Sequence, residues 1–300
     1  MLNLPHLQTN VPLGPFTTYQ IGGLAEYFVG VTSSQELAAA VRVAREANVP
    51  YFVLGCGANI LIKDGGMKGL VIYNKANHVE FIPSRHQVWA ESGAQIADLI
   101  EVCRDKGLSG FEHFVGIPST VGGAIWQNLH FLSPDRERTM YIEEFVLGGR
   151  ILDENNKIQV VDKKFFQFGY DDTILHHRKL IVLDVLFQLA PKSPSEIQAQ
   201  MIANMNWRAE KQPQLWQWPS CGSVFQKIEG VGAGRLIDEA GLKGHRIGNA
   251  QISEKHANYI VNLGGATARD VLDLIELVRA EVKAKTGYEL TPEIGIIGEG

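Results

Sequence analysis

Residues 51–62 read Tyr51-Phe52-Val53-Leu54-Gly55-Cys56-Gly57-Ala58-Asn59-Ile60-Leu61-Ile62. Four apolar residues run into a loop with two glycines, and three aliphatic residues follow. The pattern predicts strand, glycine loop, strand. Glycines allow positive φ and close approach of backbone to a ligand, and consecutive exposed N–H groups can cradle a diphosphate. A tight turn between strands accounts for the same residues. Because the loop leads into a strand, it is not the Gly-x-Gly-x-x-Gly turn that opens a helix in dinucleotide-binding folds. The chain also lacks Gly-x-x-x-x-Gly-Lys-Ser/Thr, which argues against a P-loop nucleotidase.

Working outward, Ser33 and Glu36 form a capping-box pattern. Leu37, Val41 and Ala44 follow at helical spacing, and Pro50 stops the helix. Downstream come an Asp64-Gly65-Gly66 turn and a strand, Leu70-Val71-Ile72-Tyr73. These make one α/β unit, about 1–75. A second runs from about 76 to 190: a strand at Val88-Trp89-Ala90, a helix with Ile96, Leu99, Ile100 and Cys103 on one face, then mainly strands. It holds a second small-residue loop, Ile117-Pro118-Ser119-Thr120-Val121-Gly122-Gly123-Ala124. Two such loops in separate units suggest one large phosphate-bearing ligand served by both. Pro191 to Pro194 reads as a linker to a third unit, 191–300. That unit has a polar helix near 195–210 and a loop and helix start at Gly230-x-Gly232-x-Gly234. Its long last helix is capped by Thr267, carries the stripe Val271, Leu274, Ile275, Val278 and Val282, and ends at Gly287. The expected class is α+β, with 1–190 and 191–300 as the main division.

With 300 residues, 45% hydrophobic and 20% charged, the chain can fill real cores. A net charge of −5 gives no nucleic-acid footprint. Three cysteines without a Cys-x-x-Cys predict neither a disulfide framework nor a zinc site, and no metal is expected. The N-terminal residues do not form a signal peptide, and no apolar run reaches the ~20 residues of a membrane helix. A cytoplasmic monomer without membrane or nucleic-acid partners is expected.

Taken together, three N-terminal segments resemble the FAD-binding half of the UDP-N-acetylenolpyruvoylglucosamine reductase family. They are Thr17-Thr18-Tyr19-Gln20-Ile21-Gly22-Gly23, the 54–61 loop, and 116–124. That half has the vanillyl-alcohol oxidase (PCMH) type of fold. The C-terminal half is similar as well, in Ser220-Cys221-Gly222-Ser223-Val224-Phe225, Ala240-Gly241-Leu242-Lys243-Gly244, His256-Ala257-Asn258-Tyr259-Ile260-Val261-Asn262 and Leu290-Thr291-Pro292-Glu293-Ile294. The resemblance implies a two-part FAD-binding domain with a C-terminal substrate-binding domain. It also implies NADPH-dependent, FAD-mediated reduction of the enolpyruvyl ether of a UDP-sugar to UDP-N-acetylmuramate, in peptidoglycan precursor synthesis. By the same match Ser223 is the proton donor and Glu293 the active-site glutamate. The FAD-binding positions are Gly55, Cys56, Gly57, Ala58, Asn59, Ile60, Leu61, Ile117, Pro118, Ser119, Thr120, Gly122, Gly123 and Ala124.

One departure bears on chemistry. The family's Tyr-Arg-x-Ser reads Tyr170-Asp171-Asp172-Thr173 here, so an anion stands where the resemblance implies a catalytic arginine. A negative charge beside a developing enolate is costly when desolvated. Asp171 is therefore expected to point away, or the protein to have lost or altered its activity. Candidate substitute cations are His176, His177, Arg178 and Lys227. Arg178 and Lys227 are favoured, and with Tyr170 they are assigned to substrate binding. An oxidase of alcohols or sugars on the same scaffold is the remaining alternative, disfavoured by the Ser223 and Glu293 segments.

Overall fold

A computed structural model describes residues 2–228 and 230–300. By contacts the chain divides into two compact units. The first comprises Met1–Leu7, Val29–Gly55 and Ile72–Trp207; the second comprises Gln8–Phe28, Cys56–Val71 and Arg208–Gly300. This partition is not linear along the chain, and so differs in kind from the division at about residue 190. Between Gly55 and Cys56, inside the first glycine loop, the chain passes from one unit to the other.

The first unit is built on a five-stranded antiparallel sheet. Its order is Ile158–Asp162, Val146–Leu152, Ile181–Gln188, Gln87–Glu91, Val79–Ile82. Helix α1, Ser34–Glu46, starts where expected: Ser33 accepts from the Glu36 N–H. The Glu36 carboxylate, however, accepts from Thr32 rather than from Ser33, so only half of the capping box forms. Helix α2, Ile96–Asp105, buries the predicted face Ile96, Leu99, Ile100 and Cys103. It shares one core with Phe111, Phe114, Val121, Ala124 and Ile125 and with the sheet residues Val88, Ala90, Val185 and Phe187. Helix α3, Val121–Trp126, and the short α4, Ile174–His177, complete this unit, together with the first part of α5, Pro194–Lys211. The stretch read as a linker is tied down. Pro191 pairs with Leu108, and the Lys192 N–H donates to the Gly107 carbonyl at 3.0 Å.

In the second unit, α6 (Ala233–Glu239) and α7 (Ala268–Thr286) share a core with a three-stranded antiparallel sheet, Arg246–Ile247, Ala250–Ile252 and Ile260–Asn262. The predicted stripe Val271, Leu274, Ile275, Val278 and Val282 is buried there. Thr267 and Asp270 form the cap, and the Asp64 carboxylate also accepts from the N–H groups of Ala268 and Arg269 at 2.8 and 3.0 Å. An anion at a helix N-terminus satisfies orphan donors and complements the dipole. The last strand, Gly295–Ile297, pairs in parallel with Ile60–Ile62, the strand that follows the glycine loop. Asn262 is buried and binds the Tyr19 carbonyl and the N–H groups of Gly264 and Ala266, which ties the N-terminal Thr17–Gly23 stretch to this core. Among the described residues, no helix is long and apolar enough to cross a membrane.

Candidate active site

The two glycine loops differ in what their amides do. In the second loop the N–H groups are already used. Val121 donates to Ala94, Gly122 to Ser92, Gly123 to the Thr120 hydroxyl and Ala124 to the Thr120 carbonyl, at 2.7–3.2 Å. The hydroxyl of buried Thr120 thus caps α3. A Cβ on Gly55 would stand 2.6 Å from that hydroxyl oxygen, so within the first unit Gly55 packs directly against the second loop. Ile117, Pro118, Ser119 and Gly122 are half-buried, Gly123 is exposed and Ala124 is buried.

In the second unit, Gly57 adopts φ +60, and a Cβ there would lie 2.6 Å from the Phe16 carbonyl oxygen. The Thr18 N–H donates to the Gly57 carbonyl at 3.2 Å. Among the described residues, no acceptor takes the N–H groups of Gly57, Ala58 or Asn59. Cys56, Ala58, Asn59 and Ile60 are half-buried and Leu61 is buried. A left-handed turn with unused, consecutive amides is an anion cradle.

Ser223 stands at the centre of the second unit's chemistry. Its segment lies between two supports. On one side the Val224 N–H donates to the Asn258 carbonyl at 2.8 Å, and the Asn258 side chain binds the N–H and carbonyl of Phe225 at 3.0 and 2.9 Å. On the other, the Gln226 N–H donates to Thr291 at 2.9 Å and the Glu293 N–H donates to the Val224 carbonyl at 2.8 Å. The backbone pairing therefore sets Glu293, half-buried, beside the Ser223 segment. The Ser223 hydroxyl is hydrogen-bonded to Tyr259, which is 7% exposed. Burial pushes the Tyr259 phenol up, against the pull of Arg208 and Ser223, so it stays protonated. Burial works against the charge of Arg208, and Tyr259 beside it favours that charge. Burial also pushes the Cys221 thiol up to about 12, so this cysteine is no thiolate nucleophile. Lys227 is exposed.

Because Asn258 is buried and holds both backbone groups of Phe225, Asn258→Ala is expected to displace Ser223. A loss of about ten- to a hundredfold in kcat should follow, since small misplacements carry that cost. The protein should keep its cofactor; unchanged kcat in a folded variant contradicts the positioning role.

Tyr170 and Arg178 fall in the first unit. Tyr170 is 43% exposed. Arg178 is committed to Glu154 through two bonds of 2.8 Å. His176 donates to the Trp126 carbonyl at 2.9 Å and stacks on that ring, and His177 donates to Asp172 at 2.9 Å. Three of the four expected substitute cations thus have other work. Asp171 does not point to solvent: its side chain is 4% exposed, at φ +52. The His130 ring faces it, with Nδ1 3.6 Å from Oδ1. Gln127 and Tyr170 hydrogen-bond to this carboxyl. Burial pushes this carboxyl above the usual carboxylate range, while His130, Gln127 and Tyr170 pull it back.

A carboxyl raised in the folded state makes stability fall as pH rises from its ordinary value through its folded value. Asp171→Asn removes that dependence. The variant should therefore gain stability relative to the parent across this window. A denaturation series in which the parent gains instead refutes the assignment.

Tyr259, Arg208, Asn258 and His130 were not picked out from sequence. Asn258 and Tyr259 lie in a segment, 256–262, that carries the resemblance as a whole with no role given to either residue, and no spacing links His130 to Asp171.

Two family models match the chain: an FAD binding domain over residues 25–162, and the UDP-N-acetylenolpyruvoylglucosamine reductase C-terminal domain over 212–297. A UDP-N-acetylenolpyruvoylglucosamine reductase of Clostridium novyi is 34% identical over 300 residues, covering all of this chain and 94% of that protein. The protein of the same name from Staphylococcus aureus strain Newman is 36% identical over 294 residues, covering 98% of this chain and 92% of that one. The crystal structure of UDP-N-acetylenolpyruvylglucosamine reductase from Thermus caldophilus superposes with a TM-score of 0.79 at 30% identity, covering 98% of both chains.

Proposed function

The chain belongs to the UDP-N-acetylenolpyruvoylglucosamine reductase family, and from that premise we propose that it reduces the enolpyruvyl ether of UDP-N-acetylglucosamine to UDP-N-acetylmuramate with NADPH as hydride source. The observation that carries the reading is the buried Tyr259 hydroxyl bonded to Ser223, on a segment that also anchors Glu293. The place in cell-wall precursor synthesis, in the cytoplasm and as a monomer, belongs to the same proposal.

The residues present fit FAD. The Gly57-Ala58-Asn59 amides suit its diphosphate, and Gly55, packed on Thr120, leaves no room for a side chain between the loops. When bound, FAD supplies a centre that accepts hydride from the nicotinamide and delivers it to the terminal vinyl carbon. This chain's residues do the rest. As charge builds on the carbon bearing the carboxylate, Ser223 gives that carbon its proton. A serine hydroxyl is a weak acid. The Tyr259 phenol, kept protonated by burial and hydrogen-bonded to Ser223, can turn its O–H to the serine oxygen and stabilise the alkoxide left once the proton is given up. Glu293 is assigned the family's glutamate role on the same segment, and Lys227 stays a candidate for the substrate's anionic groups. Asp171 keeps a second reading in view, a flavoprotein of this family with altered activity. The two readings separate in a steady-state assay. NADPH oxidation that requires the enolpyruvyl sugar, with the lactyl ether found as product, supports the first; sugar-independent oxidation alone leaves the second.

A further inference from the structure

The turn that leads into the strand Ile260–Asn262 is closed on itself. The Ser253 N–H donates to the Tyr259 carbonyl at 2.8 Å, and the Tyr259 N–H to the His256 carbonyl at 3.0 Å. The Ser253 hydroxyl accepts from the N–H groups of Lys255 and His256 at 3.2 and 3.3 Å. This framework sets the His256 ring against both residues that support Ser223. Its Nδ1 accepts the Asn258 N–H at 3.2 Å, and its ring meets the Tyr259 ring edge-on, with centroids 5.0 Å apart.

The tautomer follows from the first contact. A backbone N–H can only donate, so Nδ1 carries no proton. Burial, and then the Lys243 ammonium, push this imidazole below its ordinary range, so the ring is neutral with its one proton on Nε2. Asn258 has four polar groups, and three serve the Ser223 segment. Its carbonyl accepts from Val224, and its side chain binds both backbone groups of Phe225. The fourth, its N–H, goes to His256. Asn258 is buried, so an N–H without that acceptor would bear its full desolvation cost.

Helix α6 backs the ring. Gly234 stands in its first turn, and a Cβ there would lie 3.1 Å from His256 Cε1 and 3.6 Å from Nδ1. Alanine is the better helix former, so glycine at this helical position gives up propensity and leaves room for the imidazole. All of these residues belong to the second unit.

We propose that His256 is a positioning residue for the reduction: its Nδ1 holds Asn258, and through it the Ser223 segment, while its ring holds the Tyr259 phenol against the Ser223 hydroxyl. The proposal rests on the reductase reading. Because His256 acts through Asn258 and Tyr259, its loss should slow proton delivery and spare sugar binding.

The test uses FAD-loaded protein reduced with dithionite without oxygen, and follows flavin reoxidation by the enolpyruvyl UDP-sugar. His256→Phe keeps a ring beside Tyr259 and removes the acceptor. It should lower the limiting rate by about tenfold and leave the half-saturating sugar concentration within about twofold of the parent. His256→Asn keeps an acceptor on the same γ-carbon and should recover most of the rate. Gly234→Ala presses on the ring from the helix and should slow the same step. Added to His256→Asn it should cost nothing more, because the Cε1 atom it strikes is gone. A limiting rate in His256→Phe within about twofold of the parent overturns the proposal. So does a loss confined to the half-saturating concentration, or a rate in His256→Asn no better than in His256→Phe. If His256→Phe does not retain flavin, the Gly234→Ala pair decides: an alanine that slows both backgrounds equally, or neither, overturns it. Should the sugar fail to reoxidise even the parent, the reductase reading falls, and hydrogen exchange at the Val224 and Phe225 amides judges His256. Faster exchange in His256→Phe but not in His256→Asn sustains its positioning role; any other pattern ends it.

Discussion

Ser223→Ala should slow transfer from the reduced protein to the sugar by about 10²–10⁴-fold, the range that a positioned general acid contributes. The argument is local to the second unit. The hydroxyl is bonded to Tyr259, and its segment is clamped by Asn258 on one side and by the 291–293 stretch on the other. Alanine removes one oxygen from a half-buried site and leaves those backbone bonds in place. Flavin content and reduction by NADPH should therefore match the parent. Loss confined to the sugar half-reaction identifies Ser223 as the proton donor, whereas an equal loss in both half-reactions points to a collapsed site. Tyr259→Phe should show a smaller loss in the same half-reaction, because the serine keeps its proton but loses the partner that stabilises its alkoxide.

Gly57→Ala carries the second large effect, and it falls on the cofactor. The residue has φ +60, a region costing a side chain roughly 1–2 kcal/mol. The new Cβ would also meet the Phe16 carbonyl oxygen at 2.6 Å and the Thr17 Cα at 2.8 Å, backbone atoms that cannot swing aside. The loop must shift, and with it the amides of Ala58 and Asn59. A loss of about ten- to a hundredfold in FAD affinity is expected, some 1.4–2.8 kcal/mol. Gly241→Ala is the control: its φ is +76, but nothing lies within 4 Å of the new Cβ. It should lower the melting temperature and leave FAD affinity intact. Equal FAD loss in both variants would show that general strain, not the cradle, is responsible.

How much of this was legible beforehand depended on how far apart the partners lie in sequence. The strand, glycine loop and strand of 51–62, the α2 face and the α7 stripe are local periodicities, and each forms as read. Ser223 and Glu293 were legible as motif positions, but their common setting was not. It needs the Val224 carbonyl to meet the Glu293 N–H across about 70 residues of chain. Tyr259 was hidden because a tyrosine leading into the apolar strand Ile260–Asn262 looks like core until its hydroxyl is seen on Ser223. The second loop shows the opposite limit. Its small residues suggested amides facing a ligand, yet four of them are satisfied within the first unit, by Ala94, Ser92 and Thr120. Arg178 was favoured as a substitute cation on charge alone; only the fold reveals Glu154 opposite it. His130 and Asp171 are 41 positions apart and were unconnected until their rings and carboxylate were placed.

The most direct measurement is an anaerobic colour cycle on the FAD-loaded protein. NADPH should bleach the visible flavin band, and the enolpyruvyl UDP-sugar, added without oxygen, should bring it back in proportion to the sugar consumed. A band that stays bleached with the sugar and returns only when oxygen is admitted would contradict the account.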